Sequence, residues 1–215
     1  MEEFEDEIKS MTQIFTRKIE ALLSNCESMI EKKFLVKFLD EYYKHSVGLY
    51  NFSFLQESLE ELYAGEEYDY IQQKSTVIRY KEDRSNYLIN EQLRTYFITG
   101  LIIKHSWIDF SFKLIPQYNV KIEDFNYRLD FAILGSIKIK DETHSFNIGI
   151  ECDGHQWHHT KEQIENDNRR LRNLHANDWY LIRYSGREIN RNGFIASHDF
   201  MKYIENKYEK GIVWA

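Results

Sequence analysis

Glu151-Cys152-Asp153-Gly154-His155 closes a run that contains Phe146, Ile148 and Ile150. In an extended strand residues i and i+2 share a face, so Glu151 and Asp153 point one way and Cys152 the other. Two adjacent carboxylates repel unless a cation lies between them. The pair is costly as packing and suits a hard, oxygen-seeking ion such as Mg²⁺. A third acid, Asp130, lies on the preceding candidate strand. With Asp130 opposite Glu151 in an antiparallel pair, Phe131 opposes Ile150 and Ile133 opposes Ile148. Those four make an apolar face that Cys152 continues, and Asp130, Glu151 and Asp153 gather on the other. Directly opposed Cβ atoms lie about 4.5–5.5 Å apart, within reach of one bridging metal. A one-residue slip would turn the acids into the core. The plain alternative is a solvated acidic sheet face.

The elements that must carry these residues are legible in the periodicity. Residues 4–23 place Phe4, Ile8, Met11, Ile14, Phe15, Ile19 and Leu22 at helical spacing. A second helix starts near Ser28, with Ser28 and Glu31 forming a capping box and Ile30, Phe34, Leu35, Phe38, Leu39 and Tyr42 its stripe. Residues 52–63 and 90–104 read as helices, with a polar, Tyr-rich stretch between them. After Ser111 the period becomes two. Strands are expected near 112–120, 126–134 and 145–153, with turns at Glu123-Asp124 and Lys140-Asp141. Thr160-Lys161-Glu162-Gln163 is a second capping box, opening a helix to about Ala176. Trp179–Tyr184 is a short strand, Ser185-Gly186 breaks it, and a last helix covers about 197–209. Strand, helix and strand over 145–184 form a βαβ unit, parallel and right-handed. The class is mixed α/β, an antiparallel meander feeding one crossover.

The remaining polar residues carry two readings each. Arg169, Arg170 and Arg172 are phosphate contacts or a solvated helix face. Asp167 shares a stripe with Ile164, Leu171 and Leu174, so it faces inward and needs a partner, either Arg170 or Arg183. Arg183 is a buttress or a phosphate contact. Trp157 stacks on a base or covers the core edge. Cys152 packs rather than attacks. His155, His158 and His159 suggest a zinc cluster, but no Cys-x-x-Cys or His-Glu-x-x-His accompanies them.

The 215 residues are 42% hydrophobic and 15% aromatic, enough for a core, with one proline and nine glycines, so no Pro/Gly linker is present. Cys26 and Cys152 are too few for a disulfide framework and are expected reduced. The acidic start, MEEFEDEIKS, is unlike a signal peptide, and no apolar run approaches the roughly 18 residues of a membrane span. A soluble, cytoplasmic protein is expected. The net charge of -7 argues against a general nucleic-acid binder, but it is unevenly spread. Residues 1–70 carry a net -9 and residues 71–215 a net +2. The acidic first third is a solvated helical face or a surface for a protein partner.

Tyr127-Arg128-Leu129-Asp130-Phe131, then Ile150-Glu151-Cys152-Asp153-Gly154-His155, resembles the PD-(D/E)XK nuclease superfamily, and more narrowly the very-short-patch-repair-like endonucleases. Asp167, Arg170 and Leu174, Trp179 through Arg183, Glu188 and Gln117 extend the resemblance over about residues 115–190. It implies a restriction-endonuclease-like α/β core at 111–215 with an added, mainly helical N-terminal region at 1–110. It also implies a Mg²⁺-dependent endonuclease on DNA, with Mn²⁺ able to substitute, or an inactive module that keeps the fold. Asp130, Glu151 and the Cys152 carbonyl would be the metal ligands. The family's helix glutamate matches Glu31 best, which makes 28–45 the first core helix and 46–110 an insertion; Glu91 is the rival. The pattern's lysine is replaced by Asp153. The phosphate's positive charge then falls to His155, Lys161 or Arg170, with His155 also a candidate acid/base. A double-strand cut would need two sites and hence a homodimer.

Overall fold

The computed structural model describes residues 5–45, 50–58, 77–80, 94–106, 108–153, 160–191 and 196–208. They fall into two compact units, one of residues 1–25 and 54–100, the other of residues 26–53 and 101–215. In the first unit, α1 (Glu5–Ser24) buries Ala21 and Leu22, and Phe15 meets the Phe54 ring edge-on at 5.8 Å. Strand β2 (Val77–Tyr80) pairs antiparallel with the start of β3 (Arg94–His105).

The expected helices at 52–63 and 90–104 are a correction. The described parts of both segments are strands, β1 (Tyr50–Ser58) and β3. Phe52 and Phe54 alternate with polar residues in β1. In β3 the run Arg94–His105 is rich in aromatic and β-branched side chains, which suit a pleated surface better than a helix turn.

The second unit is built as the period-two pattern requires. Its antiparallel meander is the end of β3, β4 (Phe110–Ile122), β5 (Phe125–Ile139) and β6 (Glu142–Asp153). Glu123 and Lys140 take positive φ at the two tight turns, each of 51–56°. Helix α3 (Lys161–Ala176) opens on the Thr160–Gln163 capping box and crosses to β7 (Trp179–Ser185), which runs parallel to β6. A single turn, α4 (Gly186–Ile189), and α5 (Ala196–Tyr208) complete it.

Helix α2 (Met29–His45) packs its Phe34 ring 5.0 Å from Phe131 and 5.6 Å from Tyr184. Phe110, Phe112 and Phe146 close around Phe200 of α5 on the same face. The opposite face holds Val120, Leu129, Ala132 and Leu174, with Tyr118, Trp179 and Leu181 against them. Buried Glu41 on α2 accepts from the Ala196 amide at 2.7 Å and so ties α2 to the start of α5.

The start of α2 is held by a buried acid. The Glu31 carboxylate accepts from the amides of Glu27 (2.8 Å) and Ser28 (3.1 Å) and from Gln117 Nε2 (2.7 Å), while the Glu31 amide donates to Ser28 Oγ. The expected capping box is present, with an added link to β4.

Two stability changes follow from this packing. A Cβ on Gly135 would stand 2.3–2.7 Å from the Phe146 ring and the Phe112 Cβ, so Gly135→Ala is expected to cost about 2–3 kcal/mol, read as a lower urea midpoint at unchanged slope. Glu31→Ala removes the cap and leaves Gln117 unpaired, and is expected to cost about 2–3 kcal/mol in the same measurement. A change within about 0.5 kcal/mol would mean that the cap contributes little.

Candidate active site at a fork in the sheet

The predicted register is the one observed. Phe131 pairs with Ile150 and Ile133 with Ile148. Among the described residues the β5–β6 ladder stops at Phe131–Ile150, although both strands continue. Strand β5 stays paired with β4 back to Phe125, and β6 stays paired with β7 out to Asp153–Ser185. The two strands therefore part at the next row, which is Asp130 and Glu151. The direct cross-strand contact expected between these acids is replaced by another. Asp130 Oδ2 accepts from the Cys152 amide at 2.7 Å, taking the place of the ladder at the mouth of the fork.

The fork coincides with a reversal of side-chain alternation. On β4, Phe112 and Leu114 face the α2 side, whereas Tyr118 and Val120 belong to the opposite cluster. On β5, Phe131 faces α2 and Leu129 faces the other cluster. No residue is inserted, because Pro116–Phe131 and Tyr118–Leu129 keep one register. The change falls on Gln117, whose φ of 51° is left-handed, and on Asp130 beside it. Gln117 thereby reaches Glu31 on one side of the sheet, while Glu151 faces α3 on the other.

Glu151 is buried and its carboxylate lies between two guanidinium groups. Arg170 of α3 pairs with Oε1, and Arg183 Nε lies 3.0 Å from Oε2. Arg183 is also the ladder partner of Glu151 on β7. Each arginine has a second anchor. Arg170 donates to the Arg128 carbonyl at 2.8 Å, and Arg183 Nη1 lies 3.6 Å from Asp167. Burial raises the Glu151 carboxyl above its usual range, against the opposing pull of Arg170 and Arg183. Asp130 is pushed up to about 6, first by burial and then by the charges of Glu31, Glu151 and Asp153, with the Cys152 amide opposing. The arginines thus pair with Glu151, while the opposing contact at Asp130 is the Cys152 amide.

The other expected residues distribute as follows. Asp153 is exposed at the end of β6, and Lys161 is exposed at the first residue of α3. Asp167 finds Arg183, one of its two predicted partners, but it is half-buried and Ile164 on its supposed stripe is exposed. Arg170, read as a phosphate contact or a helix-face residue, and Arg183, read as a buttress or a phosphate contact, both pair with Glu151. Cys152 is buried, and its thiol is pushed far up by burial and by Asp130 and Glu31, which suits packing. Glu188 caps α4, accepting from the Ser185 amide at 2.8 Å. His155, Trp157, the rival Glu91, and His158 and His159 lie outside the described residues. The double arginine pairing was missed in the sequence. Extending the parallel register to β7 would have found Arg183 beside Glu151.

The donors present fit a hard cation in kind. Glu31, Asp130, Glu151 and Asp153 supply carboxylates, and Gln117 Oε1 is a buried oxygen without a hydrogen-bond partner. In arrangement, no three His, Cys, Asp or Glu side chains among the described residues converge on one point.

Comparison with curated proteins and with solved structures finds no match. Among the described residues no helix is long and apolar enough to cross a membrane. Residues 109–204 match the family model REase_MTES_1575, a restriction-endonuclease-like family. The matched segment runs from β4 into α5 and contains the fork, Asp130, Glu151, both arginines and Asp167, but not α2 with Glu31. The match and the mixed α/β sheet support a restriction-endonuclease-like domain over these residues.

Proposed function

We propose that this domain is a metal-dependent DNA endonuclease whose centre is the fork between β5 and β6. The observation that carries the reading is the opening of an otherwise regular ladder at Asp130 and Glu151, inside the segment that matches a restriction-endonuclease-like family. The order of Asp130, Glu151-x-Asp153-Gly154 and Asp167-x-x-Arg170 resembles the very-short-patch-repair-like endonucleases. Asp130 and Glu151 are the assigned ligands for Mg²⁺ or Mn²⁺, with the Cys152 carbonyl beside them. A divalent ion bound there would stabilise charge on the phosphate and lower the pKa of a bound water.

The chain's own residues divide the remaining tasks. Glu31 and Gln117 shape the α2 side of the fork, and the Gln117 Oε1 offers a further oxygen. Arg170 and Arg183 supply the positive charge that Asp153 does not. Lys161, exposed at the start of α3, is proposed to meet a backbone phosphate, and His155 and Trp157 are assigned to proton transfer and base stacking. DNA is the proposed substrate on the strength of the nuclease resemblance, the net +2 of residues 71–215 is compatible with it, and the first third, at -9, is proposed as a surface for a protein partner or a second copy. The protein is assigned to the cytoplasm.

One observation favours a second reading, an inactive nuclease-fold module that binds nucleic acid or protein. Glu151 is already neutralised by two arginines, and the pattern's lysine is absent. Such a module should bind no Mn²⁺ near millimolar in calorimetry. The deciding assay is cleavage of single-stranded, duplex, mismatched and branched DNA with and without Mn²⁺. Metal-dependent cleavage is expected, and Glu151→Gln should lose it. Asp130→Asn keeps an acceptor for the Cys152 amide but removes a charge from an acidic cluster. It is expected to abolish cleavage while raising the melting temperature in EDTA. Full activity in either variant would refute the assignment.

A further inference from the structure

The two arginines on Glu151 do more than fill a charge deficit. Both oxygens of its carboxylate are taken, Oε1 by Arg170 and Oε2 by Arg183 at 3.0 Å. A divalent cation approaching Glu151 in this arrangement would sit against two guanidinium groups. Neither arginine depends on Glu151 alone. Arg183 keeps Asp167 at 3.6 Å, and Arg170 keeps the Arg128 carbonyl at 2.8 Å. Releasing the glutamate would not leave a guanidinium stranded.

We infer that Arg170 and Arg183 form an ionic latch on Glu151 that a nucleic-acid phosphate opens, so that DNA and the metal ion bind cooperatively. A phosphodiester offers two oxygens to a guanidinium fork in the geometry that a carboxylate does. When phosphate takes the arginines, Glu151 loses its counter-charges while still buried beside Asp130. A buried carboxylate in that position needs a new cation. The exchange also works in reverse, because a cation on Glu151 frees the arginines for phosphate. Coupling of this kind is reciprocal by thermodynamic necessity. The latch gives Arg170 and Arg183 two successive partners, Glu151 before the substrate binds and phosphate after. It explains how a chain without the pattern's lysine meets the phosphate with positive charge only when the substrate is present. The inference rests on the nuclease reading and adds to it an order of assembly.

The test is Mn²⁺ titration by calorimetry into the full chain, with and without a short duplex carrying phosphorothioate linkages that resist cleavage. The duplex should tighten Mn²⁺ binding to the wild type by about tenfold or more. In the absence of DNA, Arg183→Gln and Arg170→Gln should each bind Mn²⁺ several-fold tighter than the wild type, and their gain from the duplex should fall to within about twofold. Loss of a merely structural contact would weaken metal binding, not tighten it. Melting curves establish that the variants fold. Arg183→Lys and Arg170→Lys, which keep the charge without the fork, serve if the glutamine forms do not, with the same direction expected. Equal Mn²⁺ affinity with and without duplex, together with arginine variants no tighter than the wild type, would overturn the latch and leave the nuclease reading standing. Absence of Mn²⁺ binding in every form, duplex included, would overturn both.

Discussion

A carboxylate taken out of water must find a counter-charge, and Glu151 is the place where this chain meets that demand. Burying an unpaired carboxylate costs several kcal/mol, a sizeable share of a domain's whole stability. The two arginines that meet it come from different elements. Arg170 is carried by α3, and Arg183 stands beside Glu151 on β7. Neither is near until the crossover has folded back over the sheet. The parallel βαβ unit and the ion-paired acid therefore stabilise each other, and Leu174, Trp179 and Leu181 supply the apolar contact that holds α3 in place.

The second constraint is the reversal at Gln117 and Asp130. A regular antiparallel pair would carry its alternation unbroken and keep all the acids on one face. Here one residue with left-handed backbone turns the end of the β4–β5 hairpin over, and the β5–β6 ladder opens at the same row. The result joins the two sides of the sheet at one point. Glu31 approaches from α2 through Gln117, Glu151 lies toward α3, and Asp130 sits between them on the Cys152 amide.

Much of this was legible because burial on one face writes itself as period two. The strands from Phe110 to Asp153, the Thr160 capping box and the crossover were all recoverable. So was the register, since only one pairing places Phe131 and Ile133 against Ile150 and Ile148. Strands β1 and β3 were not. The apolar run through β3 shows no alternation, and a short continuous run reads equally as helix or strand. The φ of Gln117 has no marker either, since glutamine is not a residue that announces a left-handed position. Side-chain partners across α3 and β7 depend on the helix's rotation over the sheet. Periodicity therefore offers Asp167 a cation partner, which Arg183 supplies, and gives no sign that Glu151 takes two.

These features divide the charge of the site unequally. Four positive and negative groups, Arg170, Arg183, Glu151 and Asp167, nearly cancel on the α3 side. Asp130, between the two sides, meets the charges of Glu31, Glu151 and Asp153, and burial with those charges holds its carboxyl up at about 6 against the Cys152 amide. A net charge of -7 for the chain conceals this local imbalance as completely as it conceals the basic bias after residue 70. In the proposed reading a divalent cation would be held beside Asp130 and Glu151, and the phosphate would be met by the guanidinium groups of Arg170 and Arg183. The proposed function thus asks the fork to hold a cation and a phosphate side by side, as hydrolysis of a phosphodiester by a bound cation requires, and acids and guanidinium groups do meet there.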